Sequence, residues 1–261
     1  MYPTISIGSI HIESYTLCYI LVFLIVTLLV RQELKNRQYP LKILIGLFIT
    51  GLFFGIMGAK IYYFLENWEA FIIDPYHTFF TVPGSGWYGA FIFGLIGIIL
   101  YLKFNKLQVI SFLDMLAPFI LIGQASGRLG CFLAGCCYGI PSNLPWAVQF
   151  PNTIFAPHVR VHPTQLYELI IYFSIAFLLL RLKKRNLKPG TILGLYLILA
   201  GAGRFIVEFY RVNPKIVAQF SAPQIIAFIG ILFGIYFIFR TSKPVTAFYE
   251  NSKEQHKILA I

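Results

Sequence analysis

The chain has 261 residues, of which 58% are hydrophobic and only 12% charged, with a formal net charge of +11. The charged share is about half that of a soluble domain. This is the composition of an integral membrane protein, and the ten-residue alternating strands of a membrane β-barrel are absent. The four cysteines sit in a chain too large and too apolar to need a secreted disulfide framework.

Runs of apolar residues predict about seven transmembrane helices, over 16–30, 43–65, 86–102, 107–125, 163–181, 190–210 and 222–240. No Lys or Arg precedes the first run, so it does not read as a cleavable signal peptide. Basic residues gather on one side of the membrane. Arg31, Lys35, Arg37 and Lys42 follow the first span, and Lys103 and Lys106 the third. Arg181, Lys183, Lys184, Arg185 and Lys188 follow the fifth, and Arg240 with Lys243 the seventh. The positive-inside rule then puts the N-terminus outside and the C-terminus in the cytoplasm. Topology accounts for the basic charge, so no nucleic-acid partner is expected. Residues 1–261 read as a single integral-membrane domain, with 241–261 as a short cytoplasmic tail. Two outer segments, 66–85 and 126–162, are longer than simple connections, and long loops in a compact membrane protein are usually functional.

The second of these holds the most informative stretch, Gly127-Arg128-Leu129-Gly130-Cys131-Phe132-Leu133-Ala134-Gly135-Cys136-Cys137-Tyr138-Gly139. A permanent cation at membrane depth is costly and marks a site for an anion or a partner. Arg204 has a similar setting, in Ala200-Gly201-Ala202-Gly203-Arg204. Two readings stand for it: helix packing with a snorkelling side chain, or a cavity-facing phosphate ligand acting with Arg128. Glu208 lies four residues after Arg204 and three before Arg211, on one helical face. It is either a structural ion-pair partner or the residue that orients the arginines in a basic pocket. Glu13, Asp114 and Glu168 also fall in or beside apolar runs, where a carboxylate must be paired or neutralised. His162-Pro163-Thr164-Gln165-Leu166-Tyr167-Glu168 opens the fifth span. It serves as a helix cap and anchor, or supplies His162 as a general base. Cys131, Cys136 and Cys137 lack the paired C-x2-C spacing of a zinc site. Metal binding, disulfide formation and simple packing all remain open for them, and packing is the expected role.

Taken in order, these motifs resemble the prolipoprotein diacylglyceryl transferase family over roughly residues 5–240. Gly127-Arg128-Leu129-Gly130-x-Phe132 with Gly135 and Gly139 is similar to its signature. His162-Pro163-x-Gln165-Leu166-Tyr167-Glu168 and Arg204-Phe205-x-x-Glu208-Phe209-x-Arg211 are similar to its next two motifs. Tyr15-x-x-x-Tyr19, the Gly58-Ala59-Lys60 turn and Trp87-Tyr88-Gly89 come in the matching order. The resemblance implies a bacterial cytoplasmic-membrane, multi-pass enzyme. It would move the diacylglyceryl group of phosphatidylglycerol to the lipobox cysteine of a preprolipoprotein, forming a thioether and releasing glycerol 1-phosphate. It implies no metal and no cofactor. Arg128 and Arg204 would hold the phosphate, with Glu208, Arg211, Tyr15 and Gly139 completing the lipid site. Tyr88 and His162 would stand near the chemistry.

Departures from the family pattern keep an alternative open, a non-catalytic or differently specific phospholipid-binding paralogue. The family's His-Gly-Gly is Tyr88-Gly89-Ala90 here. Its signature Asn is Cys131, its following Glu is Cys136, and a tyrosine before the third motif is Ala200. A tyrosine is a poor base at neutral pH, so Tyr88 is expected to bind the headgroup. His162 or a phosphate oxygen is then the expected proton acceptor.

Overall fold

Lipid offers the backbone no hydrogen-bond partners, so long apolar stretches resolve as helices. The computed structural model describes residues 4–7, 10–74, 76, 87–151, 159–185, 187–217 and 219–240. A hairpin, β1 (Thr4–Ile7) and β2 (Ile10–Glu13), precedes α1 (Ser14–Asn36), α2 (Leu41–Glu66) and the short α3 (Trp68–Ile73). There follow α4 (Trp87–Phe104), α5 (Val109–Ala134), α6 (Thr164–Leu182) and α7 (Thr191–Glu208). A second hairpin, β3 (Lys215–Val217) and β4 (Phe220–Ser221), leads into α8 (Ala222–Phe239). Among the described residues, six helices are long and apolar enough to cross a membrane: α1, α2, α5, α6, α7 and α8. The apolar part of α4, Gly89–Phe104, is shorter. The mainly helical membrane architecture expected from the sequence is present. Large apolar side chains such as Leu24, Leu28, Phe53, Phe228 and Phe233 stand exposed on helix surfaces, as lipid-facing positions require.

Two local expectations change. Gly58-Ala59-Lys60 is no turn but part of α2. The expected fourth span, 107–125, continues as helix to Ala134, so Arg128 and Cys131 stand on a helix and not in a loop. Glycine weakens a helix by only about 1 kcal/mol, and a low-dielectric setting favours keeping the backbone bonds closed. The tail 241–261 lies outside the described residues.

The backbone groups into two units, residues 31–112 and residues 1–30 with 113–261. In the first, α2 packs against α4 at backbone distance. A Cβ on Gly58 would come within 2.4 Å of the Gly89 carbonyl oxygen, the close approach that small residues permit between membrane helices.

The larger unit holds the main core, where Ala117, Leu121 and Ala125 of α5 meet Tyr172, Ile175 and Leu179 of α6 and Ile192 and Tyr196 of α7. Gln124 donates to Tyr196 Oη across it at 3.1 Å. Asp114 solves a problem at one end of this core. The first amides of α7 have no partner within their own helix, and the capping position is Gly190, which has no side chain to offer. The Asp114 carboxylate accepts from Gly190 N–H and Leu193 N–H, both at 2.6 Å. It caps α7 from α5. Asp114→Ala is expected to lower stability by about 1–2 kcal/mol, the usual cost of losing a cap. A reduced thermal midpoint in detergent, with turnover kept at low temperature, is the expected result.

Candidate active site

Arg128, Glu168, Arg204 and Glu208 come from three helices that alternate in direction, so the C-terminal part of α5, the start of α6 and the end of α7 meet at one end of the core. Glu168 stands at the centre. Its Oε2 lies 2.8 Å from Arg128 Nε and 3.5 Å from an Arg211 terminal nitrogen. Its Oε1 accepts from Arg204 at 2.7 Å. Glu208 pairs with Arg204 at 2.8 Å and with Arg211 at 3.7 Å. It also accepts from Ser221 Oγ at 2.7 Å and from Asn213 Nδ2. Both carboxylates are fully buried, while the side chains of Arg128 and Arg204 keep 23% and 18% exposure.

Three guanidiniums against two carboxylates leave one positive charge in excess within the described cluster. Two opposed needs are met together. The carboxylates hold the arginines in place where a lone buried charge could not persist. The surplus charge gives the assembled site a net attraction for an anion.

Arg211 reaches the cluster differently from expectation. The helix ends at Glu208, so Arg211 does not continue its face. It pairs instead with Gly139 in an isolated β-bridge, flanked by a bond from Ile140 N–H to Tyr210 O at 2.9 Å. Gly139 is the junction of three motifs. A Cβ there would fall within 2.3 Å of Tyr210 O, 2.7 Å of His162 Cβ and 2.8 Å of Thr164 Cγ2. The described contacts of Gly139 are therefore those of a close-packed junction.

The segment after α5 is ordered by its own small core, in which Phe150 and Val161 are fully buried against Phe132, Tyr138 and Val148. Val148 and Val161 exchange both backbone bonds. Arg160 fastens the carbonyls of Pro145 and Ala147. His162 is buried at the edge of this cap, with Nδ1 3.1 Å from Tyr167 Oη. Tyr167 in turn accepts from Trp146 Nε1 at 2.8 Å. His162 is thus tied to the cap and takes no part in the described ion pairs.

The helix end explains the cysteines. Gly135, at φ 71°, donates to Phe132 O at 3.2 Å, and Cys136 N–H donates to Cys131 O at 3.1 Å. This is a Schellman termination, in which glycine takes the left-handed position and the chain folds back on the last turn. Thr164 Oγ1 and Gln165 Nε2, both buried, donate to the Cys137 and Cys136 carbonyls at 2.9 Å and 2.7 Å. The three sulfurs of Cys131, Cys136 and Cys137 consequently lie within 4.8 Å of one another.

Of the residues expected from the sequence, Arg128, Arg204, Glu208 and Arg211 come together and Gly139 adjoins them. Tyr15 and Tyr88 belong to α1 and α4, but their side chains lie outside the described residues. The sequence reading marks Glu168 as a carboxylate that must be paired or neutralised and as part of a helix-entry anchor, but it does not place it among the site residues or name its partners. The signal that marks it, a carboxylate in an apolar span, shows that a partner is needed but not which one.

Fold and site together define a multi-pass membrane protein with a caged, net-positive cluster of arginines suited to an anionic group. The chain belongs to the prolipoprotein diacylglyceryl transferase family, whose model matches residues 3–240. It is 37% identical over 232 residues to the phosphatidylglycerol–prolipoprotein diacylglyceryl transferase of Clostridium tetani, covering 87% of this chain and 92% of that one. It is 34% identical to transferase 2 of that name from Clostridium perfringens, covering 88% and 91%. The Gloeobacter violaceus transferase is 30% identical, with 88% of each covered.

Proposed function

We propose that this protein is the membrane transferase that moves the diacylglyceryl group of phosphatidylglycerol to prolipoproteins, with Arg128 and Arg204 as its phosphate clamp. The observation that carries the clamp is the Glu168-centred cluster, with three arginines held by two buried carboxylates and one positive charge in excess. In the reaction, the acceptor's thiolate attacks the glyceryl carbon. A C–S bond forms as the C–O bond to phosphate breaks, and the electron pair leaves on the phosphate oxygen. The departing glycerol phosphate gains one negative charge. Fixed guanidiniums in a dry site stabilise that charge more than they stabilise the diester.

The thiol must lose its proton to attack. His162 or an oxygen of the leaving phosphate receives it. For His162 to serve, Nδ1–H donates to Tyr167 and Nε2 is the basic nitrogen. Tyr88 is read as a headgroup ligand. The chain is read as spanning the bacterial cytoplasmic membrane seven times with its N-terminus outside. Supporting this, the arginine cluster sits at the end of the α5–α7 core opposite the basic connection that carries Arg181, Lys183, Lys184, Arg185 and Lys188.

The test is transfer by the purified protein. Given vesicles of phosphatidylglycerol and a lipobox peptide, it is expected to yield a diacylglyceryl thioether peptide and glycerol 1-phosphate, detected by mass spectrometry. Phosphatidylethanolamine vesicles serve as the comparison. Lipid binding with no thioether product would instead identify a non-catalytic binder.

A further inference from the structure

Three sulfurs from the end of one helix and the turn that follows it form a cluster that the transfer reaction does not use. We infer that Cys131, Cys136 and Cys137 are a three-thiolate binding site for a soft, monovalent d10 metal ion, with Cu(I) as the representative cation.

Geometry carries this. Metal–sulfur bonds of about 2.3 Å put the sulfurs of a trigonal site roughly 4 Å apart, and these three already lie within 4.8 Å of one another. The contraction needed is small enough for side-chain rotation. A C-x4-C-C spacing is a poor chelate along an extended chain. Across a Schellman termination it becomes a good one, because the first cysteine and the vicinal pair are brought together by the chain folding back on the last turn. The bond from Cys136 N–H to Cys131 O fixes that contact at 3.1 Å. Cys137 completes the set from a left-handed backbone conformation, φ 62°, which is uncommon for a residue other than glycine. Thr164 and Gln165 hold both carbonyls of the vicinal pair in that turn, so the cluster is preassembled on two elements.

Ligand type and number choose the ion. Thiolates select Cu(I), zinc and iron–sulfur clusters over hard cations. Structural zinc is held by four protein ligands, and among the described residues no fourth His, Cys, Asp or Glu joins this group. Three sulfurs, with no fourth donor among the described residues, suit a trigonal d10 ion. Cys18, the fourth cysteine, lies outside the group on α1.

Cu(I) itself is the probe. Full-length protein is reduced, stripped of metal under anaerobic conditions in detergent, and titrated with Cu(I) held by a chromogenic bathocuproine chelator. The expected result is transfer of one Cu(I) per chain with a thiolate-to-copper charge-transfer band. Cys131→Ser, Cys136→Ser and Cys137→Ser should each weaken uptake by tenfold or more, and Cys18→Ser should not. Alkylation of the unaltered protein gives a second readout that requires no variant to fold: Cu(I) should shield the three clustered cysteines and leave Cys18 reactive. Copper retained by the chelator, uptake that survives loss of all three cysteines, or a disulfide among them in the anaerobic reduced protein would each overturn the assignment.

Discussion

Glu168→Gln is expected to abolish turnover and to destabilise the protein by about 3–5 kcal/mol, the cost of breaking a buried ion pair by removing one partner. The charge balance sets the size of the effect. Glu168 contacts all three arginines and its side chain is fully buried. Neutralising it changes the cluster from three cations against two anions to three against one. The amide also turns one acceptor into a donor that faces guanidinium donors, so substitution replaces attraction with repulsion. Glu208→Gln should cost less, because Glu208 pairs with two arginines and retains hydrogen bonds from Ser221 and Asn213. The measurement is the thermal midpoint in detergent alongside product formation. A Glu168→Gln protein with the midpoint and turnover of the original would dismiss the hub role, and equal effects at the two glutamates would dismiss the ranking.

Much of this site is legible in the amino-acid sequence, for a specific reason. Arg128, Arg204, Glu208 and Arg211 lie in or beside apolar spans, where each charge demands an explanation, and the last three are spaced along one helix and the turn after it. Glu168 is harder to read because its partners lie on other segments. Arg204 is 36 positions away, and pairing across helices leaves no periodicity to read. The same limit hides the partners of Asp114, which are the amides of a helix 76 residues further on. Glycine misleads at the end of α5. Gly127 and Gly130 read as loop signals but are helical, and only Gly135 takes the left-handed conformation that ends the helix. That displacement of the boundary by several residues decides what the cysteines are. In a loop they are three unrelated thiols, whereas across a Schellman turn they form a cluster. The capping segment illustrates a further gap, since Phe150 and Val161 form a satellite core whose strand-like bonds are isolated pairs too short to give an alternating pattern.

Arg128→Ala and Arg204→Ala are each expected to lower turnover at saturating lipid by at least 10²–10³-fold, the usual loss when a fixed donor to a developing oxyanion is removed. Their stabilities should differ, which separates the clamp from the scaffold. Arg128 makes one described ion pair, to Glu168, whereas Arg204 bridges Glu168 and Glu208. Arg204→Ala therefore removes the cation that holds both buried carboxylates, and a lower thermal midpoint is expected with the lost activity. Arg128→Ala, at the more exposed position, should keep a midpoint close to that of the original protein and still fail in catalysis. It is the cleaner test. Arg128→Lys restores the charge without the planar fork that engages two phosphate oxygens, so a partial recovery, well short of full activity, is expected. If the arginine only bound the diester in its ground state, KM would rise and kcat would stay. A transition-state role requires kcat to fall even at saturating phosphatidylglycerol. Unchanged activity in both alanine variants would rule out the phosphate clamp.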